Sequence, residues 1–169
     1  MLDLLFNPNG RMSRKGFLVV FLAPYLLLTK IMAPIFMQAG LSALPYVASI
    51  FFLWPSAVSV PVKRFHDMGA SGWYQAGIIG LQVLAGIIIL NGVVDIGGGG
   101  AISDPALSPL EQQKALWKLI GQSPKAQLGV VLWAAVVLAQ TALFAFAKGM
   151  RGRNRYGSDP LSTEQGFGS

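Results

Sequence analysis

Four apolar stretches, at about residues 17–37, 43–62, 73–94 and 128–147, constrain this 169-residue chain more than any other feature. A helix of about 20 apolar residues crosses about 30 Å of hydrocarbon, and each stretch is close to that length. Lipid offers no partner to a free backbone N–H or C=O, so helices are the expected spanning form. Only 12% of the residues are charged, against about 25% in soluble domains. A small soluble domain would need the missing charge to cover its surface. The expected fold class is therefore all-α integral membrane, a four-transmembrane-helix bundle forming a single membrane domain over residues 1–169. Prolines interrupt the first stretch (Pro24, Pro34) and the second (Pro45, Pro55, Pro61).

Residues 1–16 read as a short polar lead carrying Arg11, Arg14 and Lys15. The apolar stretch that follows is longer than the 7–15 residues of a secretory signal, and no A-x-A cleavage pattern follows it. An uncleaved signal anchor is expected. Orientation follows from the sidedness of Lys and Arg. Arg11, Arg14, Lys15, Lys63, Arg64, Lys148, Arg151, Arg153 and Arg155 fall on one side; Lys114, Lys118 and Lys125 fall on the other. The bias places both termini, including the tail 148–169, in the cytoplasm.

The longer outer loop, about 95–127, opens on a Gly97–Gly100 tether. A short helix then follows. Ser108 caps it, Pro109 takes its first position and Glu111 completes a capping box. Leu110, Trp117 and Ile120 recur at helical spacing. The helix either lies on the outer membrane surface or stands exposed to solvent.

Small residues at Ala76 and Gly80, and at Ala135 and Ala139, suit close helix packing. Gln82 and Gln140 sit at similar inferred depth, and a hydrogen bond between them, or to Thr141, is expected. Lys30 is the one charge inside a span. It either snorkels outward or pairs with Asp95. None of the four stretches holds Asp or Glu, which removes the carboxylate that proton-coupled transporters generally place in the membrane.

Cysteine is absent and His66 is the single histidine. Disulfides, thiolate chemistry and sulfur-based zinc sites are excluded. No metal site or cofactor is expected. The net charge of +6 is read as membrane topology, with no nucleic-acid partner.

Three polar stretches share the inferred cytoplasmic face. They are Gly10-Arg11-Met12-Ser13-Arg14-Lys15-Gly16-Phe17, then Lys63-Arg64-Phe65-His66-Asp67-Met68-Gly69-Ala70-Ser71-Gly72-Trp73, then Gly152-Arg153-Asn154-Arg155-Tyr156-Gly157-Ser158-Asp159-Pro160. In this order they resemble the bacterial inner-membrane family termed domain of unknown function 805. The resemblance carries Arg11, Ser13, Arg14, Arg64, His66, Asp67, Gly69, Ser71, Gly72, Trp73, Asn154, Tyr156, Gly157, Asp159 and Pro160 as family positions. It implies a multi-pass protein of the bacterial inner (plasma) membrane and supplies no activity. Tyr74 stands where a second Trp is common, and the outer loop is longer than usual.

The candidate cluster is Arg11, Arg14, Arg64, His66, Asp67, Ser71, Trp73, Arg153, Asn154, Arg155, Tyr156 and Asp159, with Lys30, Gln82 and Gln140 as intramembrane polar residues. Asp67 has three candidate donors: Arg64, His66 or an amino-terminal arginine. Paired guanidinium groups suit phosphate, and an anionic lipid headgroup is the anion at hand. The chemistry fits a non-enzymatic scaffold or accessory subunit. Its expected partners are the phospholipid bilayer, an anionic headgroup, and a membrane protein or a second copy of the chain. The rivals are a small transporter or channel, and a lipid-modifying enzyme using His66, Asp67 and Ser71.

Overall fold

The computed structural model describes residues 5–39, 43–98, 100 and 107–161. Gly99 of the expected tether and residues 162–169 of the tail lie outside them. The described residues are helical, with no strand among them beyond the isolated bridge pair Asn154–Gly157. Three helices are long and apolar enough to cross a membrane: α1 (Gly16–Phe36), α4 (Tyr74–Asp95) and α6 (Pro124–Phe146). The second apolar stretch forms α2 (Ala43–Trp54), a π-helical segment (Pro55–Ser59) and α3 (Val60–Asp67). The short helix after Ser108 is α5 (Pro109–Gln122).

The chain divides into two compact units, one of residues Met1–Gly77 with Gln140–Ser169 and the other of Ile78–Ala139. In the first unit, prolines set the helical register. A proline inside a helix has no N–H for the carbonyl four residues back, and its ring crowds that carbonyl. The chain answers with wider π turns. Three of them, Gly16–Leu22, Leu27–Met32 and Pro55–Ser59, each end two residues before a proline, at Pro24, Pro34 and Pro61. At each end an N–H reaches five residues back: Ala23 to Leu18, Ala33 to Leu28 and Val60 to Pro55.

Aromatic rings fill this unit. Phe17 meets Phe144 edge-on at 5.6 Å, Phe65 meets Phe144 at 5.2 Å, and Phe21 stacks on Tyr25. Phe17, Phe65 and Phe144 are buried. The amino-terminal lead differs from expectation. Leu5 is buried, and the Phe6 ring lies 5.0 Å from Phe51. Trp54 Nε1 donates to the Phe6 carbonyl at 2.8 Å, and Ser59 Oγ donates to that of Leu5. Residues 5 and 6 thus pack along the second apolar helix. The reason is their own apolarity, together with two side-chain donors that satisfy their carbonyls.

In the second unit α4 and α6 run antiparallel, but not through the expected small residues. Ala76 and Gly80 are exposed and lie outside the contact. The close approach is at Gly92, where an added Cβ would lie 2.9 Å from the Ala126 Cα. It recurs at Gly129, where a Cβ would lie 2.9 Å from the Ala85 carbonyl and 2.7 Å from Ile89. Val93, Ile120 and Ala126 form a small core there, with Leu116 and Leu119 against it. The capping box forms as expected. Glu111 N donates to Ser108 Oγ at 3.4 Å, and Ser108 N donates to Glu111 Oε2 at 2.9 Å. α5 passes Gly121 and ends at Gln122, and Ser123 alone separates it from α6. Ser123 Oγ accepts the Ala126 N–H at 3.2 Å. Asp95 pairs with Lys125 at 2.9 Å rather than with Lys30, because Lys125 opens the helix packed beside it.

This packing predicts a contrast between two glycines of α4. Gly92→Ala is expected to lose about 1–3 kcal/mol by overpacking against the Ala126 backbone. Gly86→Ala, with open space around its Cβ, is expected to hold or gain stability. Thermal unfolding in detergent, followed by tryptophan fluorescence, measures both.

Candidate functional site

The cluster begins where α3 stops. Gly69, at φ +75°, adopts the left-handed conformation that closes a helix. Ala70 N donates to the Phe65 carbonyl at 2.8 Å, and Gly69 N donates to that of His66 at 3.0 Å. This pair of bonds is a Schellman stop. It leaves Arg64 and Asp67 on the last turn, one turn apart and both buried.

Burying ions is unfavourable unless they are paired and fully hydrogen-bonded. Here they are. Arg64 Nη1 donates to Asp67 Oδ2 at 2.7 Å and to the Met12 carbonyl at 3.1 Å. Its Nε and Nη2 donate to the Phe144 carbonyl at 3.2 and 2.8 Å, and Nη2 also donates to that of Ala147 at 3.0 Å. Those last carbonyls are the ones that the end of α6 leaves without intrahelical partners. Arg11 approaches the other carboxylate oxygen. Its Nη2 and Nε donate to Asp67 Oδ1 at 3.1 and 3.3 Å. Its Nη1 donates to the Gly152 carbonyl at 2.6 Å and to that of Gly157 at 3.5 Å, and Nη2 also donates to that of Met150. All five N–H groups of each guanidinium are engaged.

Close approach makes this possible. A Cβ on Gly149 would overlap the Asp67 carboxylate, 2.7 Å from its Cγ, and one on Gly69 would strike the Met150 sulfur. Met150 N donates to the Asp67 carbonyl at 2.8 Å, and Met12 N to that of Lys63 at 3.3 Å. The three sequence motifs therefore meet around Asp67, the third of them through the Arg11 bonds to Gly152 and Gly157.

A second contact ties the tail to the same turn. Asn154 and Gly157 bridge each other around Arg155 and Tyr156, and Asn154 Oδ1 accepts the Tyr156 N–H at 2.9 Å. Asn154 Nδ2 donates to the His66 carbonyl at 2.9 Å. The Tyr156 ring stacks on the His66 imidazole at 3.7 Å and 8°, and the Arg155 guanidinium lies 4.7 Å from the Tyr156 ring centroid. His66 Nδ1 bonds the Gly10 carbonyl at 3.1 Å, so the neutral ring carries its proton there. Burial holds the imidazole below its ordinary pKa and Arg155 pushes the same way, against the Gly10 carbonyl. Asp159 accepts from Gly152 N and Leu161 N, both at 3.0 Å.

The remaining expected residues are spread more widely. Arg14, Arg153 and Trp73 are exposed, and Ser71 Oγ accepts the Trp73 N–H at 3.3 Å. His66, Asp67 and Ser71, the trio of the enzyme reading, each bond elsewhere: to Gly10, to the two arginines and to Trp73. Lys30 is exposed. Gln140 donates to Gln75 Oε1 at 2.7 Å, so Gln75 takes the place expected for Gln82 or Thr141. Gln75 in turn donates to the Ala57 carbonyl at 2.6 Å and is 2% exposed. Ala57 is four residues before Pro61, so its carbonyl is the one that Pro61 cannot bond. Gln82 belongs to the other unit and is half-buried.

Sequence reading passed over Gln75, Gly149 and Met150. For Gln75 the signal was available: a proline in a span frees a carbonyl, and a nearby amide is suited to answer it.

Two outcomes are expected. Arg64→Lys, which keeps the charge but has only three donors, is expected to lose about 1–3 kcal/mol, because buried carbonyls are left unanswered. Thermal unfolding of the purified protein reads the loss. Acidification is expected to destabilise the protein through His66. Its folded pKa lies below the unfolded value of about 6.5, so the unfolded chain takes the proton first. The contribution is complete above about pH 6.5 and is lost as pH falls through the folded pKa. The stability slope between about pH 8 and 5 is expected to flatten in His66→Phe, which keeps the stack and cannot titrate.

The family described as protein of unknown function (DUF805) matches residues 5–158. No curated protein and no solved structure matches the chain.

Proposed function

Because the chain belongs to the DUF805 family, whose description assigns no activity, we propose a role from the chemistry of its own side chains. It is a non-enzymatic, four-span protein of the bacterial inner membrane, with both termini in the cytoplasm. It serves as a scaffold or accessory subunit that holds anionic lipid headgroups on its basic cytoplasmic face.

One observation carries this reading. The buried arginines are fully spent on Asp67 and on backbone carbonyls, while Arg14, Lys15, Lys148, Arg151, Arg153 and Arg155 of the same unit stay exposed. A fully satisfied ionic cluster is a device for holding segments together. A catalytic group, by contrast, needs a donor or acceptor turned toward a substrate. The fourth span is supported by the apolar helix over Ala43–Trp54 and Pro55–Ser59, which α3 continues to its charged end. The transporter reading is disfavoured, because Gln140 is engaged with Gln75 in a part-buried bond.

Reporter fusions and lipid analysis test the proposal together. A green fluorescent fusion at the carboxyl terminus is expected to be bright, and an alkaline phosphatase fusion there inactive. Protein extracted in mild detergent is expected to retain anionic phospholipid above the proportion in the source membrane. An active phosphatase fusion, or lipid retained only in bulk proportion, overturns the reading.

A further inference from the structure

Beside the Asp67 cluster, within the first unit, lies a cleft of about 440 Å³. That size falls within the range of small-molecule sites. Its polar wall comes from two places. Ser13, Arg14 and Lys15 precede α1, and Lys148 and Arg151 follow α6. Asp159 completes the rim. The four cations are exposed, and none forms an ion pair among the described residues. The two carboxylates present offset them only in part, since Asp159 lies close enough to Arg151 to feel its charge. Asp67 is matched by two guanidiniums, and Asp159 accepts two backbone N–H groups. Four like charges held around one concave surface repel one another and favour an anion among them.

We propose that this cleft is a phosphate site, and that the phosphate is the headgroup of an anionic phospholipid. The inference rests on the headgroup reading above and gives it residues that are not among the family positions: Lys15, Lys148 and Arg151. Leu18 points to lipid as the source. It lines the same cleft, yet it is 38% exposed on the first turns of α1, a helix apolar enough to span a membrane. The cleft therefore has a cationic rim on one side and an apolar helix flank on the other. A free phosphate uses only the first, whereas a phospholipid uses both: its phosphate accepts from Arg14, Lys148 and Arg151, and its first acyl carbons lie on Leu18. The buried arginines are excluded as ligands because their donors are already filled.

Delipidated protein titrated with phosphatidylglycerol or phosphatidylcholine, with retained lipid counted by native mass spectrometry, tests the assignment. Wild type is expected to prefer phosphatidylglycerol. Lys148→Gln with Arg151→Gln is expected to weaken that binding about thirtyfold, from about fivefold per basic residue near the headgroups. Both side chains are exposed, so the unfolding temperature is expected to hold. Lys148→Arg with Arg151→Lys is expected to restore binding. The pair Arg153→Gln with Arg155→Gln, outside the cleft, is expected to change it by less than about threefold. If that second pair abolishes phosphatidylglycerol binding and the first does not, the headgroup reading stands and the cleft assignment falls. If neither lipid is preferred by any variant, both fall. If millimolar inorganic phosphate displaces phosphatidylglycerol from wild type, the site takes free phosphate and the lipid assignment is overturned.

Discussion

Asp67 is the residue on which the rest of the first unit depends. Its carboxylate is nearly inaccessible to water and carries a full charge, which a low-dielectric interior tolerates only with compensation at both oxygens. Arg64 supplies one and Arg11 the other. Each arginine then has donors to spare, and these reach backbone carbonyls at Met12, Phe144, Ala147, Met150, Gly152 and Gly157. One buried carboxylate thus fixes the amino-terminal strip, the end of the second apolar helix and the exit of the last. Removing the carboxylate would leave two buried guanidiniums without their counter-charge. Removing either arginine would leave backbone acceptors unanswered at a helix end.

Prolines and glycines prepare the ground for that arrangement. The π turns ahead of Pro24, Pro34 and Pro61 let helices continue through residues that would otherwise break them. At Pro61 the freed Ala57 carbonyl becomes the anchor for Gln75 and, through it, Gln140. Gly69 and Gly149 do the complementary work of leaving space. The first takes a left-handed turn under the Met150 sulfur, and the second lets the tail lie directly on the Asp67 carboxylate.

Much of this was legible in the residue string, and the limits have physical causes. Apolar runs of bilayer length marked α1, α4 and α6. The Ser108-Pro109-Leu110-Glu111 stretch marked the start of α5, because capping is local chemistry with a fixed spacing. Asp67 was recognised as an acceptor, but the choice of Arg11 among the amino-terminal arginines was not, since it depends on tertiary position. The acceptors of Arg64 are mostly carbonyls, which every residue owns and no letter announces. The contact between α4 and α6 was misplaced because small residues recur along both helices, and only Gly92 and Gly129 face a backbone. Leu5 and Phe6 were swept into a polar lead by the charges that follow them.

The separation of the partners along the chain also orders events during synthesis. The Arg64 acceptors Phe144 and Ala147 lie 80 and 83 residues downstream, and at about 5–20 residues per second they emerge about 4–16 s after Arg64 does. Asp67 is only three residues away from Arg64, so that pair forms within a single turn and shields both charges while the rest is still being made. The cluster closes only when the last apolar helix and its tail have arrived. A chain truncated in α6 before Phe144 carries an arginine whose Nε and Nη2 donors never meet their acceptors.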